Sequence, residues 1–178
     1  CCGWVMVAAA LALERPPMLH PHALACGLLL TLSAAPCFAA APSADEQRLA
    51  AVIDADQPNA IALLERLVNQ NSGSLNLPGV KAVGEMVRAE LEPLGFEVQW
   101  IDMQATGRAG HLVATHTGNG RGKRILLIGH LDTVFEPDSP FQRFVREGDS
   151  ATGPGIADDK GGVVIIVAAL RAVHAAGS

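Results

Sequence analysis

Two short segments carry nearly all the chemistry this sequence can perform. One is Gly129-His130-Leu131-Asp132-Thr133-Val134-Phe135. The other is Gly153-Pro154-Gly155-Ile156-Ala157-Asp158-Asp159-Lys160-Gly161-Gly162. A neutral imidazole binds a metal through one ring nitrogen, and the other nitrogen needs a partner to set its tautomer and direction. Asp132, two positions after His130, could be that partner. The plainer reading of a lone His-x-Asp is a histidine satisfied by local hydrogen bonds and an aspartate that starts a turn. Asp158 and Asp159 carry a similar ambiguity, because aspartate is a preferred helix N-cap. One cap needs one carboxylate, however, and here two stand in succession. Gly153, Pro154 and Gly155 before them permit close backbone approach to a ligand. A phosphate loop does not fit, since no Gly-Lys-Ser/Thr follows and paired aspartates repel phosphate. A carboxylate here can instead bridge two cations, one on each oxygen.

The elements that must position these groups follow from periodicity. Ile125-Leu126-Leu127-Ile128 reads as a buried strand ending at His130. The glycine-rich segment opens a helix, Val163 to Ala176, that is apolar almost all round and so normally buried on both sides. A histidine and a carboxylate thus come from two neighbouring loops, as at the carboxyl ends of strands in an open α/β sheet. Upstream, Leu49, Val52 and Ile53 share a helical face, Asp56 and Pro58 read as a cap and restart, and Ile61, Leu64 and Val68 continue the stripe. After a polar loop, Asn69 to Ser74, a second stripe runs through Val80, Val83, Val87, Leu91 and Leu94 and closes at Gly95. Strands are expected at Phe96 to Ile101, His111 to Thr115 and Arg124 to Ile128, with Gly118-Asn119-Gly120-Arg121-Gly122 as a hairpin turn between the last two. Phe141 to Arg146 is expected to be a further short strand. The order predicts an α/β layered domain.

The other histidines are weaker candidates. His111, His116 and His174 have no carboxylate at a ligand-like spacing, and His20 and His22 fall in an apolar leader. No His-Glu-x-x-His, no Gly-x-Ser-x-Gly and no candidate cysteine nucleophile occurs. All four cysteines, Cys1, Cys2, Cys26 and Cys37, precede Ala39, so any metal in the folded part must be held by histidine and carboxylate. With 13 Lys and Arg against 18 Asp and Glu among 178 residues, the balance argues against a nucleic-acid binder.

Residues 18–41 read as a signal peptide, with an apolar core from about Ala23 to Leu32, small residues at Cys37, Ala39 and Ala40, and a mature start marked by Pro42. The n-region, Met18-Leu19-His20-Pro21-His22, lacks Lys and Arg. The run is short for the ~20 apolar residues of a membrane span. The expectation is an exported protein, periplasmic or secreted. Residues 1–17 are an uncertain upstream segment, and residues 44–178 form the folded part. The start at Cys1 and the stop at Ser178 lead to the expectation of a fragment of a longer product.

Taken together, the two motifs resemble the di-zinc peptidase family of acetylornithine deacetylase, succinyl-diaminopimelate desuccinylase and glutamate carboxypeptidase. The Gly-Pro-Gly-Ile-Ala-Asp-Asp-Lys-Gly-Gly form is most similar to the glutamate carboxypeptidase branch. The resemblance implies an α/β fold, the N-terminal part of a three-layer α/β/α catalytic domain, truncated. It implies a centre of two Zn2+ ions, with His130 as a ligand of one zinc, Asp158 as the ligand bridging both, and Asp132 as the catalytic residue that orients His130. It also implies a cis peptide bond after Asp158. A later glutamate pair, a further acidic ligand, a distant histidine and a dimerisation domain are implied too, and none has a counterpart in this sequence.

The expected function is that of a zinc-dependent exopeptidase or amidohydrolase acting on a small peptide or N-acyl amino acid. It would release a C-terminal amino acid such as glutamate, and the complete protein could be a homodimer. The present residues alone are expected to be inactive. The rival readings are an aminoacylase or dipeptidase of the same family, and a degenerate, non-catalytic fragment.

Overall fold

The computed structural model describes residues 4–11, 41–118 and 122–177. Helix α1, Ala44–Asn69, starts at a reciprocal cap: Glu46 N–H donates to Ser43 Oγ at 3.2 Å, and Ser43 N–H to the Glu46 carboxylate at 2.7 Å. The helix runs unbroken through Pro58, where a cap and restart were expected. The proline lies on the exposed face, where the carbonyl it leaves unpaired can meet water, while Leu63, Leu67 and Val68 bury the other side. Asp56 caps nothing; it accepts from Asn59 at 2.8 Å and from Arg171 at 2.9 Å.

Helix α2, Leu77–Leu91, is capped by Asn76 and buries Val80, Val83, Val87 and Leu91, the expected stripe. A short turn, Glu92–Leu94, leads to Gly95 and into β2, Glu97–Asp102. Strand β3 spans Gly110–His116 and β4 spans Lys123–His130. The segment before residue 18, expected to lie upstream of the fold, contributes a strand of its own, β1, Trp4–Leu11. The sheet order is β2-β3-β1-β4. β1 is parallel to β3 and antiparallel to β4, pairing Val5 with Leu112 on one side and with Gly129 on the other. The expected hairpin between β3 and β4 is therefore corrected: the two strands are not neighbours, because β1 takes the hydrogen-bonding edges they would have offered each other. The near-continuous apolar run Trp-Val-Met-Val-Ala-Ala-Ala-Leu suits such a central strand. Residues 119–121 of the link, and residues 12–40 with most of the expected signal peptide, lie outside the described residues.

The mixed α/β architecture is as expected. Among the described residues the helices cover one face of the sheet. On β4 the side chains alternate, with Leu127 packed on the core and Leu126 and Ile128 each 52% exposed, so the run is not buried on both faces as predicted. Strands β5, Val145–Glu147, and β6, Ser150–Thr152, form a separate two-stranded ribbon where one strand from Phe141 was expected. Helix α3, Gly161–Ala175, buries Val163, Val164, Val167, Leu170 and Ala172. Its far side faces outward, with Ile165 70% exposed, against the expectation of burial all round. Arg171 of α3 bonds Asp56 of α1 and Glu90 of α2, and Arg66 of α1 also reaches Glu90 at 2.7 Å. This network ties the three helices together above the sheet. No helix among the described residues is long and apolar enough to cross a membrane.

Candidate metal centre

Strand β4 delivers His130 at its last position, and the chain then enters a tightly held loop. Leu131 is fully buried and anchors it in the core. Thr133 N–H donates to Ser72 O at 2.8 Å and Ser74 N–H donates to Thr133 O at 3.0 Å, so the loop is stitched to the segment between α1 and α2. Ser74 Oγ donates to Asp132 Oδ2 at 2.6 Å. Asp132 is thereby fixed under the imidazole: His130 Nδ1 lies 3.0 Å from the Asp132 carbonyl oxygen and 3.5 Å from its Oδ1. A carbonyl oxygen only accepts, so Nδ1 carries a proton and its bond directs the ring.

The second loop approaches from the turn Ile156–Lys160 that precedes α3. Gly155 begins it at φ 79, a left-handed conformation that favours glycine, with Thr133 and the Lys160 stem closing on its bare side. Asp158 and Asp159 have extended φ values and are joined by a cis peptide bond. Neither serves as the side-chain N-cap considered from the sequence; α3 begins from Lys160 without one. Asp158 Oδ1 stands 2.8 Å from His130 Nε2. Lys160 turns inward, fully buried, and its Nζ donates to Leu67 O at 2.7 Å and Gln70 O at 2.9 Å, carbonyls at the C-terminal end of α1. Burial pushes its ammonium down to about 8.

The structure thus brings His130, Asp132 and Asp158 together, from segments 28 residues apart at the furthest bond. Burial of the imidazole opposes its charge, but the bonds to Asp158 and to the Asp132 carbonyl, with both carboxylate charges, hold its pKa above the ordinary histidine value. These residues line a cavity of about 660 Å³ with Ser74, Val134, Phe135, Phe141 and Ile156; His111, His116 and His174 are not among its walls. Phe135 and Phe141 meet edge to face at 5.0 Å. Asn71 Nδ2 donates to Phe135 O and to Gln142, holding the loop that carries them. Sequence reasoning missed Ser74, Asn71, the two phenylalanines and the anchoring role of Lys160. Ser74 lies 58 residues from its partner and carries no local signal; Lys160, a charge inside a glycine-rich turn, was the one clue that could have been followed.

An imidazole nitrogen and a carboxylate oxygen at 2.8 Å form a donor pair that suits zinc. Asp132 behind Nδ1 supplies the outer hydrogen bond such a ligand needs. The pair therefore fits part of a zinc site. Among the described residues no group of three or more His, Cys, Asp or Glu side chains converges to complete it.

Residues 126–178 match the model of peptidase family M20/M25/M40. This part of the chain is similar to that family. The matched stretch contains His130, Asp132 and Asp158. The chain is also similar to carboxypeptidase G2 of Pseudomonas sp. (strain RS-16), 40% identical over 120 residues, which cover 65% of this chain and 28% of that protein. Succinyl-diaminopimelate desuccinylase of Novosphingobium aromaticivorans is 31% identical over 121 residues, covering 65% of this chain and 31% of the relative. N-formyl-4-amino-5-aminomethyl-2-methylpyrimidine deformylase of Halalkalibacterium halodurans is 26% identical over 135 residues, or 72% and 31%. The chain spans 28 to 31% of the length of these relatives.

Proposed function

We propose that this chain supplies the first half of the metal centre of a zinc-dependent exopeptidase or amidohydrolase that cleaves an amide bond and releases a C-terminal amino acid such as glutamate. The observation that carries the reading is the 2.8 Å approach of His130 Nε2 to Asp158 Oδ1 at the wall of the cavity. The 40% identity to a carboxypeptidase supports the release of a C-terminal residue. Glutamate is the residue implied by the resemblance to the glutamate carboxypeptidase branch.

Each side chain then has a role. His130 offers Nε2, while its Nδ1–H donates to the Asp132 carbonyl. Asp132, held by Ser74, keeps the ring from rotating. Asp158 makes no hydrogen bond among the described residues other than that to His130, so its second oxygen is open to a second cation. When bound, two zinc ions polarise the scissile carbonyl and activate a water. No glutamate lines the cavity, so the base that would take the proton of that water is not among its described walls. Val134, Phe135 and Phe141 make one flank of the cavity apolar.

A second reading, an amidohydrolase acting on N-acyl amino acids, is supported by the 31% identity to a desuccinylase. We further propose export through residues 18–41, with periplasmic or secreted localisation, and a homodimer for the complete protein. The first is checked by mass spectrometry of the N-terminus in fractionated cells; a product retaining residues 18–41 would overturn it.

The test of the metal reading is calorimetric titration of the chain with Zn2+. Binding is expected to be weak, since zinc normally takes four ligands and two are assembled here, and to vanish in His130→Ala. A zinc affinity untouched by that substitution would overturn the reading. Turnover of N-acyl glutamate substrates by this chain is expected to be absent; turnover like that of a complete enzyme would show that these residues suffice.

A further inference from the structure

The two successive aspartates differ in direction. Asp158 projects outward to His130 Nε2, whereas Asp159 turns back, half-buried, toward the end of β4. Its Oδ2 accepts from the backbone N–H of His130 at 3.3 Å. The space around this carboxylate is made by two glycines on different elements. A Cβ on Gly129 would stand 2.8 Å from Asp159 Oδ2, and a Cβ on Gly162 would stand 2.0 Å from Oδ1. Gly129 is the residue before His130 on β4, and Gly162 lies in the first turn of α3.

We infer that Asp159 is a positioning residue: it locks the backbone of His130 against the first turn of α3, so that the ring meets Asp158 at a separation one cation can span. The inference rests on the proposed metal reading for its consequence, but the clamp itself is a property of the metal-free chain. A carboxylate that faces the backbone of one ligand, and belongs to the residue after the other ligand, couples the two loops directly.

The test compares the chain with Asp159→Ala, Asp159→Asn and Gly162→Ala, using Co2+ alone as the metal probe. Affinity is read by calorimetry and ligand geometry by the visible spectrum of the cobalt complex. In the metal-free chain, proximity is read by the nuclear Overhauser effect between the His130 ring and the Asp158 β-protons. Asp159→Ala is expected to weaken Co2+ binding ~10–100-fold, the usual effect of losing a group that orients a ligand, to alter the spectrum and to abolish the Overhauser contact. Asp159→Asn keeps an oxygen for the His130 N–H and is expected to restore contact and spectrum. Gly162→Ala should reproduce the alanine result by displacing the carboxylate, and it serves in its place if Asp159→Ala does not fold. Retention of the contact, affinity and spectrum in Asp159→Ala or Gly162→Ala would overturn the clamp. If the unaltered chain fails to bind Co2+, the metal reading falls, and the Overhauser contact alone still decides the clamp.

Discussion

Asp132 and Asp158 flank the same imidazole in opposite surroundings. The Asp132 side chain is 4% exposed, bonded by Ser74 and set beneath Nδ1; that of Asp158 is 86% exposed and, among the described residues, bonded to Nε2 alone. A buried carboxylate is held in place, so it can direct a neighbour but has little freedom to take a ligand. An exposed carboxylate keeps its second oxygen available. The same residue type thus serves two purposes, and the difference comes from the loops. The loop after β4 is stitched to residues 72–74, whereas the turn before α3 is anchored two residues beyond Asp158, through Lys160, and leaves the Asp158 side chain exposed.

The contrast can be broken by substitution. Asp158→Ala should have the largest effect on metal: Zn2+ binding falls at least ~100-fold by calorimetry, yet stability changes by no more than about 0.5 kcal/mol in urea denaturation, as for an exposed site. A large loss of stability would mean that Asp158 is structural. Lys160→Met should have the largest effect on folding. It strands two buried carbonyls and is expected to cost ~2–4 kcal/mol. Because burial holds the Lys160 ammonium down at about 8, the folded protein releases this proton before the unfolded chain does. The contribution of Lys160 to stability should therefore rise between pH 8 and the ordinary lysine value of 10.5, and that rise should be missing in the methionine variant.

Asp132→Ala should show the intermediate, mixed pattern: ~10–100-fold weaker zinc binding together with ~1–3 kcal/mol of lost stability, since Ser74 Oγ loses a buried partner and the imidazole loses the carboxylate beside it, while its Nδ1–H keeps the backbone carbonyl of residue 132. An effect on metal alone would make Asp132 no different from Asp158. The smallest effect is the pH response of His130. Its folded pKa is raised, so in the metal-free chain its pairing with Asp158 and Asp132 contributes fully below pH 6.5 and fades as the pH climbs through the folded value. Zinc competes with the Nε2 proton, so its affinity should increase over the same window. Stability profiles of the chain and of His130→Asn with and without Zn2+ check both signs; parallel profiles would show that the ring does not titrate against the metal.

How much of this was legible beforehand varies with the range of the interaction. The α2 stripe from Val80 to Leu91 and the end of β4 at His130 follow from periodicity within one element, and both are present. Pro58 misled because a proline breaks a helix only where the missing bond cannot be replaced by water, and the exposed side of α1 supplies that water. The supposed hairpin misled for another reason. Turn residues show that a chain reverses between two strands, but they cannot show whether a third strand, here β1 from a distant part of the chain, takes the place between them.

The sequence by itself determined the residue types of the site, their order, and the two elements that carry them, because spacing along a strand end or a helix start is a local property. Only the tertiary structure decided which aspartate meets Nε2, which lies beneath Nδ1 and which turns back to the His130 backbone. Those choices depend on bonds to Ser74, to the carbonyls at the end of α1, and on the gap between Gly129 and Gly162. Such contacts join residues that the chain keeps tens of positions apart, and nothing in their local order ranks one partner above another.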